Sequence, residues 1–148
     1  MKLVAIARML LVVSLLGPVA HADPYSAGMI NGETNCEAVV SDGSNQTAQG
    51  VITLSADGKG HFTQGSATYT ANNDDASNCL YSLRDGNYSI GRSGMVVAQT
   101  SWLLNNKGSA PSCTNLVASS LSFMEPSDGS FISYVGGQTV IRGTCRLP

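Results

Sequence analysis

Apolar and polar residues alternate along most of this chain with the period of a β-strand. Val51-Ile52-Thr53-Leu54-Ser55 leads into Ala56-Asp57-Gly58-Lys59-Gly60, and His61-Phe62-Thr63-Gln64 leads out. Leu80-Tyr81-Ser82-Leu83 and Tyr88-Ser89-Ile90 flank Arg84-Asp85-Gly86-Asn87. Leu121-Ser122-Phe123-Met124 and Phe131-Ile132-Ser133-Tyr134-Val135 flank Pro126-Ser127-Asp128-Gly129. These runs carry the β-branched and aromatic residues that suit a pleated, half-buried surface. The pairs Asp42-Gly43, Asp57-Gly58, Asp85-Gly86 and Asp128-Gly129 predict hairpin turns, since glycine tolerates positive φ and Asp bonds nearby backbone. A Gly136-Gly137 turn then delivers a last strand, Thr139-Val140-Ile141-Arg142-Gly143-Thr144-Cys145.

That last strand separates its two faces. Ile141, Gly143, Cys145 and Leu147 share one face and are the expected interior, because Arg142 and Arg146 lie on the other with Val140 and Thr144. Helical periodicity is weak. The best candidate, residues 95–104, contains Val96, Val97, Thr100 and Trp102, which favour a strand, and residues 115–120 have room for one helical turn. The turn signals divide the chain into about seven to nine strands in sequential hairpins. Such a meander must close or stack to bury its apolar face and protect its edges. The sequence therefore predicts an all-β fold, a single small antiparallel up-and-down β-barrel of about eight strands, with a two-sheet β-sandwich as the alternative. The longer connections, residues 72–78 and 105–112, are polar and are the loops most suited to carry function.

The first 22 residues do not fit this pattern. Lys2 and Arg8 precede an apolar core from Met9 to Leu16, Gly17-Pro18 breaks it, and Ala20-His21-Ala22 closes it with small residues where a signal peptidase reads. The apolar run is far shorter than the roughly 20 residues of a bilayer span. We expect residues 1–22 to be a cleaved secretory signal and residues 23–148 to form one β domain with no membrane span, exported to the periplasm or the extracellular space. Cleavage removes two positive charges and moves the formal net charge from −2 to −4. The remaining basic residues, Lys59, Arg84, Arg92, Lys107, Arg142 and Arg146, are scattered, whereas phosphate binding needs them clustered. Nucleic acid is therefore not an expected partner.

Cys36, Cys79, Cys113 and Cys145 all lie in the predicted mature part. An even number in an exported chain reads as two disulfides. Metal ligands usually come in close pairs, but these spacings are 43, 34 and 32 residues, with no neighbouring histidine. Sequence allows three pairings. Cys36–Cys79 with Cys113–Cys145 is preferred as linking near neighbours, and an end-to-end Cys36–Cys145 bridge stays open.

Candidates for chemistry are few. His61 is the only histidine after residue 22, and no serine sits in a nucleophile elbow, so a hydrolytic site has little to build on. Asp74-Asp75 are adjacent, and Glu33 and Glu37 share a strand face with Asn35 between them; paired acids can divide acid and base roles. Residues 72–78 offer hard oxygen ligands but lack the spacing and closing Glu of a calcium loop, so no metal and no cofactor is expected. Two sequons, at Asn45 and Asn87, matter only in a pathway with N-glycosylation.

Binding suits the architecture better than catalysis. A barrel of about eight strands can hold one small ligand, and Trp102, Tyr81, Tyr88 and Tyr134 are the aromatic candidates to line it, unless they simply fill the core. The stretch Thr100-Ser101-Trp102-Leu103-Leu104 resembles part of a strand in the avidin family of ligand-binding barrels; the likeness spans these residues alone and implies no binding residue here. The expected function is a non-catalytic exported binding module for a small apolar molecule or a protein partner. The alternatives are an inhibitor or immunity-type protein acting through a loop, and a small secreted enzyme using His61 or carboxylates.

Overall fold

The computed structural model describes residues 25–72, 78–105 and 120–148. The predicted signal, Cys113, Asp74-Asp75, the centre of the 72–78 loop and most of the 105–119 connection lie outside the described residues. Eight strands run β1 Asn31–Asp42, β2 Asn45–Asp57, β3 Phe62–Ala71, β4 Asn78–Ile90, β5 Val96–Leu104, β6 Ser120–Met124, β7 Ser130–Gly136 and β8 Thr139–Arg146. Each pairs antiparallel with the next, and β1 pairs with β8, so the sheet is a closed up-and-down barrel. Closure abolishes the exposed edges that a meander would otherwise leave. No helix among the described residues is long and apolar enough to cross a membrane.

Most of the predicted turns form. Gly43, Gly58, Gly129 and Gly137 have φ near +60° to +70°, where a side chain would be strained. Asp57 and Asp128 fasten their turns in the expected way. The Asp57 carboxylate accepts from the backbone N–H of Lys59 at 2.7 Å and of His61 at 3.0 Å, and Asp128 accepts from that of Ser130 at 2.8 Å. The two backbone bonds hold the Asp57 carboxyl below the usual carboxylate pKa, and the Ser130 side chain, helped by its backbone N–H, does the same for Asp128.

Asp85-Gly86 is the exception. β4 runs straight through it, and the chain reverses instead at residues 91–95, where Gly94 has φ 86° and its N–H bonds Gly91 O at 2.9 Å. Gly86 is there for space. A Cβ on it would lie 3.0 Å from Phe62 Cδ2 and 3.3 Å from the Thr100 methyl carbon. A bulge opposite β5 between Leu83 and Asp85 also switches which side chains point inward, from Cys79 and Tyr81 before it to Gly86 and Tyr88 after it. The stretch favoured as a strand over a helix, 95–104, is β5.

Ile141 and Cys145 face inward and Arg142 and Arg146 outward, as the alternation on β8 predicts. The disulfide differs from the preferred pairing. Cys36 is bonded to Cys145, not to Cys79, and the two half-cystines are directly opposed in the β1–β8 register. Near neighbours in sequence are not neighbours here, because the barrel brings its first and last strands together. Cys79 is also disulfide-bonded.

The interior packs as two clusters. The larger, toward the Gly43 and Gly137 turns, contains Val40, Tyr69, Tyr81, Leu104 and Val135. The smaller, at the opposite end, gathers Ile30, Ala56, Tyr88, Val96 and Ala98. A single 3-10 turn, Ala27–Met29, caps this second end and presses Ile30 into the barrel mouth. The Tyr88 hydroxyl sits 2.7 Å from Ile30 O and 3.0 Å from Ala27 O, tying that cap to β4.

Candidate functional site

A cavity of about 80 Å³ lies where the two clusters meet. Its floor is Ile30, placed by the cap, with Phe62 and Val96 beside it. Ile52, Leu54, Tyr69, Met124, Phe131 and Ile141 make most of the wall, and the Cys36–Cys145 bridge forms part of it. Among the described residues, the polar side chains of the lining are hydroxyls, one indole N–H and the Tyr69 phenol, with no carboxylate, imidazole, amide or cation.

The hydroxyls are organised by strand alternation. Thr100 and Trp102 share the inward face of β5, and the Trp102 Nε1–H donates to Thr100 Oγ1 at 3.0 Å. Thr100 Oγ1 lies 2.7 Å from Ser120 Oγ on β6, and Ser122 donates to Ser133 Oγ on β7 at 3.0 Å. These bonds make one polar wall over β5, β6 and β7. Thr34 stands opposite, because β1 and β5 are four strands apart in a ring of eight. Its side chain is buried at 4% exposure, lines the cavity, and its Oγ1 has no hydrogen-bond partner. A buried hydroxyl left in that state costs about 1–3 kcal/mol, so native structures seldom keep one idle.

The four aromatic candidates fall in four different places. Trp102 lies in the cavity wall. Tyr81 lines a smaller chamber of about 20 Å³ that shares Tyr69, Trp102, Ser120 and Ile141 with the main cavity. Burial pushes the Tyr81 phenol up to about 12 and raises Tyr69 further, the neighbouring Tyr81 adding to the effect. Tyr88 is not in the lining; it acts below the floor by holding Ile30. Tyr134 is on the outer surface, half exposed. The alternation on β7 explains this: Phe131, Ser133 and Val135 point inward, leaving Ile132 and Tyr134 outside. Sequence reasoning missed Thr34, Tyr69 and the hydroxyl wall. Period-two counting from Trp102 would have found Thr100.

The remaining candidates lie outside the barrel. His61 is exposed, with its Nδ1 2.7 Å from Asn87 Oδ1, and its backbone N–H, not its ring, meets Asp57. Glu33, Asn35 and Glu37 share the outer face of β1, where Asn35 donates to Glu33 at 3.0 Å and accepts from Thr53 at 2.9 Å. Among the described residues no group of His, Cys, Asp or Glu is arranged to hold a metal ion.

The outer face has one apolar area of its own. Val97, Phe123 and Ile132 pair in a row across β5, β6 and β7, and Leu121, Tyr134 and Val140 pair in a second row across β6, β7 and β8. The Phe123 and Tyr134 rings meet edge to face at 6.4 Å.

Comparison with protein-family models, curated proteins and solved structures finds no match to this chain, so the site is read from its own geometry.

Proposed function

We propose that this protein is a non-catalytic binding module that encloses a small uncharged molecule in its barrel. The observation that carries the reading is the Thr34 hydroxyl, buried, unpartnered and lining the cavity. An apolar cage with a few placed polar groups is the usual form of a small-molecule site. A charged guest finds no counter-ion among the described residues of the lining, and burying an unpaired charge is prohibitively costly. The size restricts the guest too: the cavity of about 80 Å³ is smaller than the roughly 150 Å³ that admits benzene. The aromatics thus fill most of the barrel, and what they leave suits a molecule of few heavy atoms. An exported setting goes with this reading, since structural disulfides persist in oxidising compartments.

Native mass spectrometry of the protein, purified from its own host without reduction, tests the proposal. The expected result is a chain beginning at Asp23, four hydrogens lighter than its reduced mass, that releases a small neutral molecule on unfolding. A protein that arrives empty and shows no saturable binding of small neutral probes would refute it.

The outer apolar rows favour a second reading, a protein partner on the β5–β8 face. Tyr134→Lys, central to that face, would then abolish complex formation without lowering the unfolding midpoint. A complex that survives the substitution removes this reading.

A further inference from the structure

We infer that the molecule held in the barrel offers a hydrogen-bond acceptor, a carbonyl or ether oxygen on a short apolar skeleton, to Thr34; this rests on the cavity-binding reading above. Each hydroxyl has one proton to donate. Thr100 and Ser120 share one bond, so one of their two protons is spent and the other remains, whichever residue donates. Thr100 already accepts from the Trp102 indole, which adds a donor to this wall without adding an acceptor. Ser122 spends its proton on Ser133, and no bond among the described residues takes the Ser133 proton. Thr34 spends none.

Three Ser and Thr hydroxyl protons on the cavity surface are therefore left without an acceptor among the described residues, besides that of the Tyr69 phenol. The described side chains that line the cavity offer no carboxylate, amide or imidazole to receive them. An idle buried donor is the costlier kind of polar omission, whereas an oxygen with one spare lone pair is common. The guest that best completes this site brings an acceptor oxygen and keeps the rest of its surface apolar against Ile52, Leu54, Phe131 and Ile141. A carboxylate or phosphate would also accept, but no cation among the described residues lines the cavity to offset its charge.

Acetone and isobutene test this directly, as they have the same shape and differ by an oxygen against a CH₂ group. Each is titrated into the intact protein and into Thr34→Val, which keeps the side-chain shape and removes the hydroxyl. Binding is read from the saturable NMR shift of the Trp102 indole N–H, the one tryptophan signal in both proteins. Comparing each probe across the two proteins cancels the different hydration of the probes. Thr34→Val should weaken acetone about three- to tenfold, the worth of one net hydrogen bond, and leave isobutene unchanged or tighter. Ser133→Ala should weaken acetone in the same sense. Equal changes for both probes would overturn the acceptor inference while leaving the cavity reading intact. No saturable shift with either probe in the unsubstituted protein would overturn the cavity reading itself.

Discussion

Replacing the Cys36–Cys145 bridge by Ala at both positions should remove about a third or more of the stability of a typical domain. The two cysteines are 109 residues apart in sequence. Tying such distant points restricts the unfolded chain. For a loop of roughly this length the closure entropy is about −16 cal/mol/K, or about 4.7 kcal/mol at room temperature. Loss of two packed sulfurs from the cavity wall adds about 1 kcal/mol. The sum falls within a total stability of about 5–15 kcal/mol for a natural domain. The native state has its own reason to depend on the bridge, because β1 and β8 are the chain's first and last strands and their pairing closes the barrel. Closing that seam without a covalent tie means ordering nearly the whole chain first. Equilibrium urea unfolding followed by the fluorescence of Trp102 measures the effect. With an m-value of about 1.5 kcal/mol/M, the midpoint should fall by about 4 M, with hydrogen exchange rising first along β1 and β8. A loss below about 1 kcal/mol at unchanged m would refute the reasoning. The seam would then be held by its ladder and side-chain packing, and the unfolded chain would be compact without the bridge.

Gly143→Ala should cost more than about 3 kcal/mol or prevent folding, because a Cβ there meets the Glu37 carbonyl oxygen and lies 2.6 Å from the Phe131 ring. Gly91→Ala, whose nearest atom would be 3.7 Å away, is the control, and thermal melts compare the two. Tyr88→Phe removes the hydroxyl that holds Ile30 O at 2.7 Å and Ala27 O at 3.0 Å. It should cost about 1–2 kcal/mol and speed hydrogen exchange and proteolysis of the N-terminal cap, with the rest of the barrel unchanged. The phenols of Tyr69 and Tyr81 keep their protons in the fold to a higher pH than in the unfolded chain. Their contribution is complete below pH about 10 and is lost as the pH rises toward and beyond 12, so stability should fall across that window. An absorbance titration at alkaline pH should show Tyr69 and Tyr81 ionising late; loss of that late phase would contradict their burial.

Local chemistry accounts for what was legible in the chain. Alternation with period two, and glycines able to take positive φ after Asp, set the strands and most of the turns; β8 shows both faces directly in its arginines. That much follows from neighbours a few residues apart. A meander of such strands must close or stack to protect its edges, and of those two outcomes the barrel is the one that forms. Asp85-Gly86 shows where local reasoning ends. Its dipeptide is the same as at Asp57-Gly58, yet the Phe62 ring from β3 needs the space beside Gly86 and the strand continues. Tyr134 shows the same limit on β7, where Phe131, Ile132, Tyr134 and Val135 put apolar groups on both faces and alternation alone assigns neither to the interior.

The sequence by itself determined the elements, their order and the even set of cysteines. Only the tertiary structure decided that Cys36 meets Cys145, that Trp102 and Tyr134 lie on opposite sides of the wall, and that Thr34 shares the cavity with the hydroxyls of β5, β6 and β7. Turns and strand faces depend on residues close in the chain. Which side chains share the inside of a closed barrel depends on register and bulges summed around the whole ring.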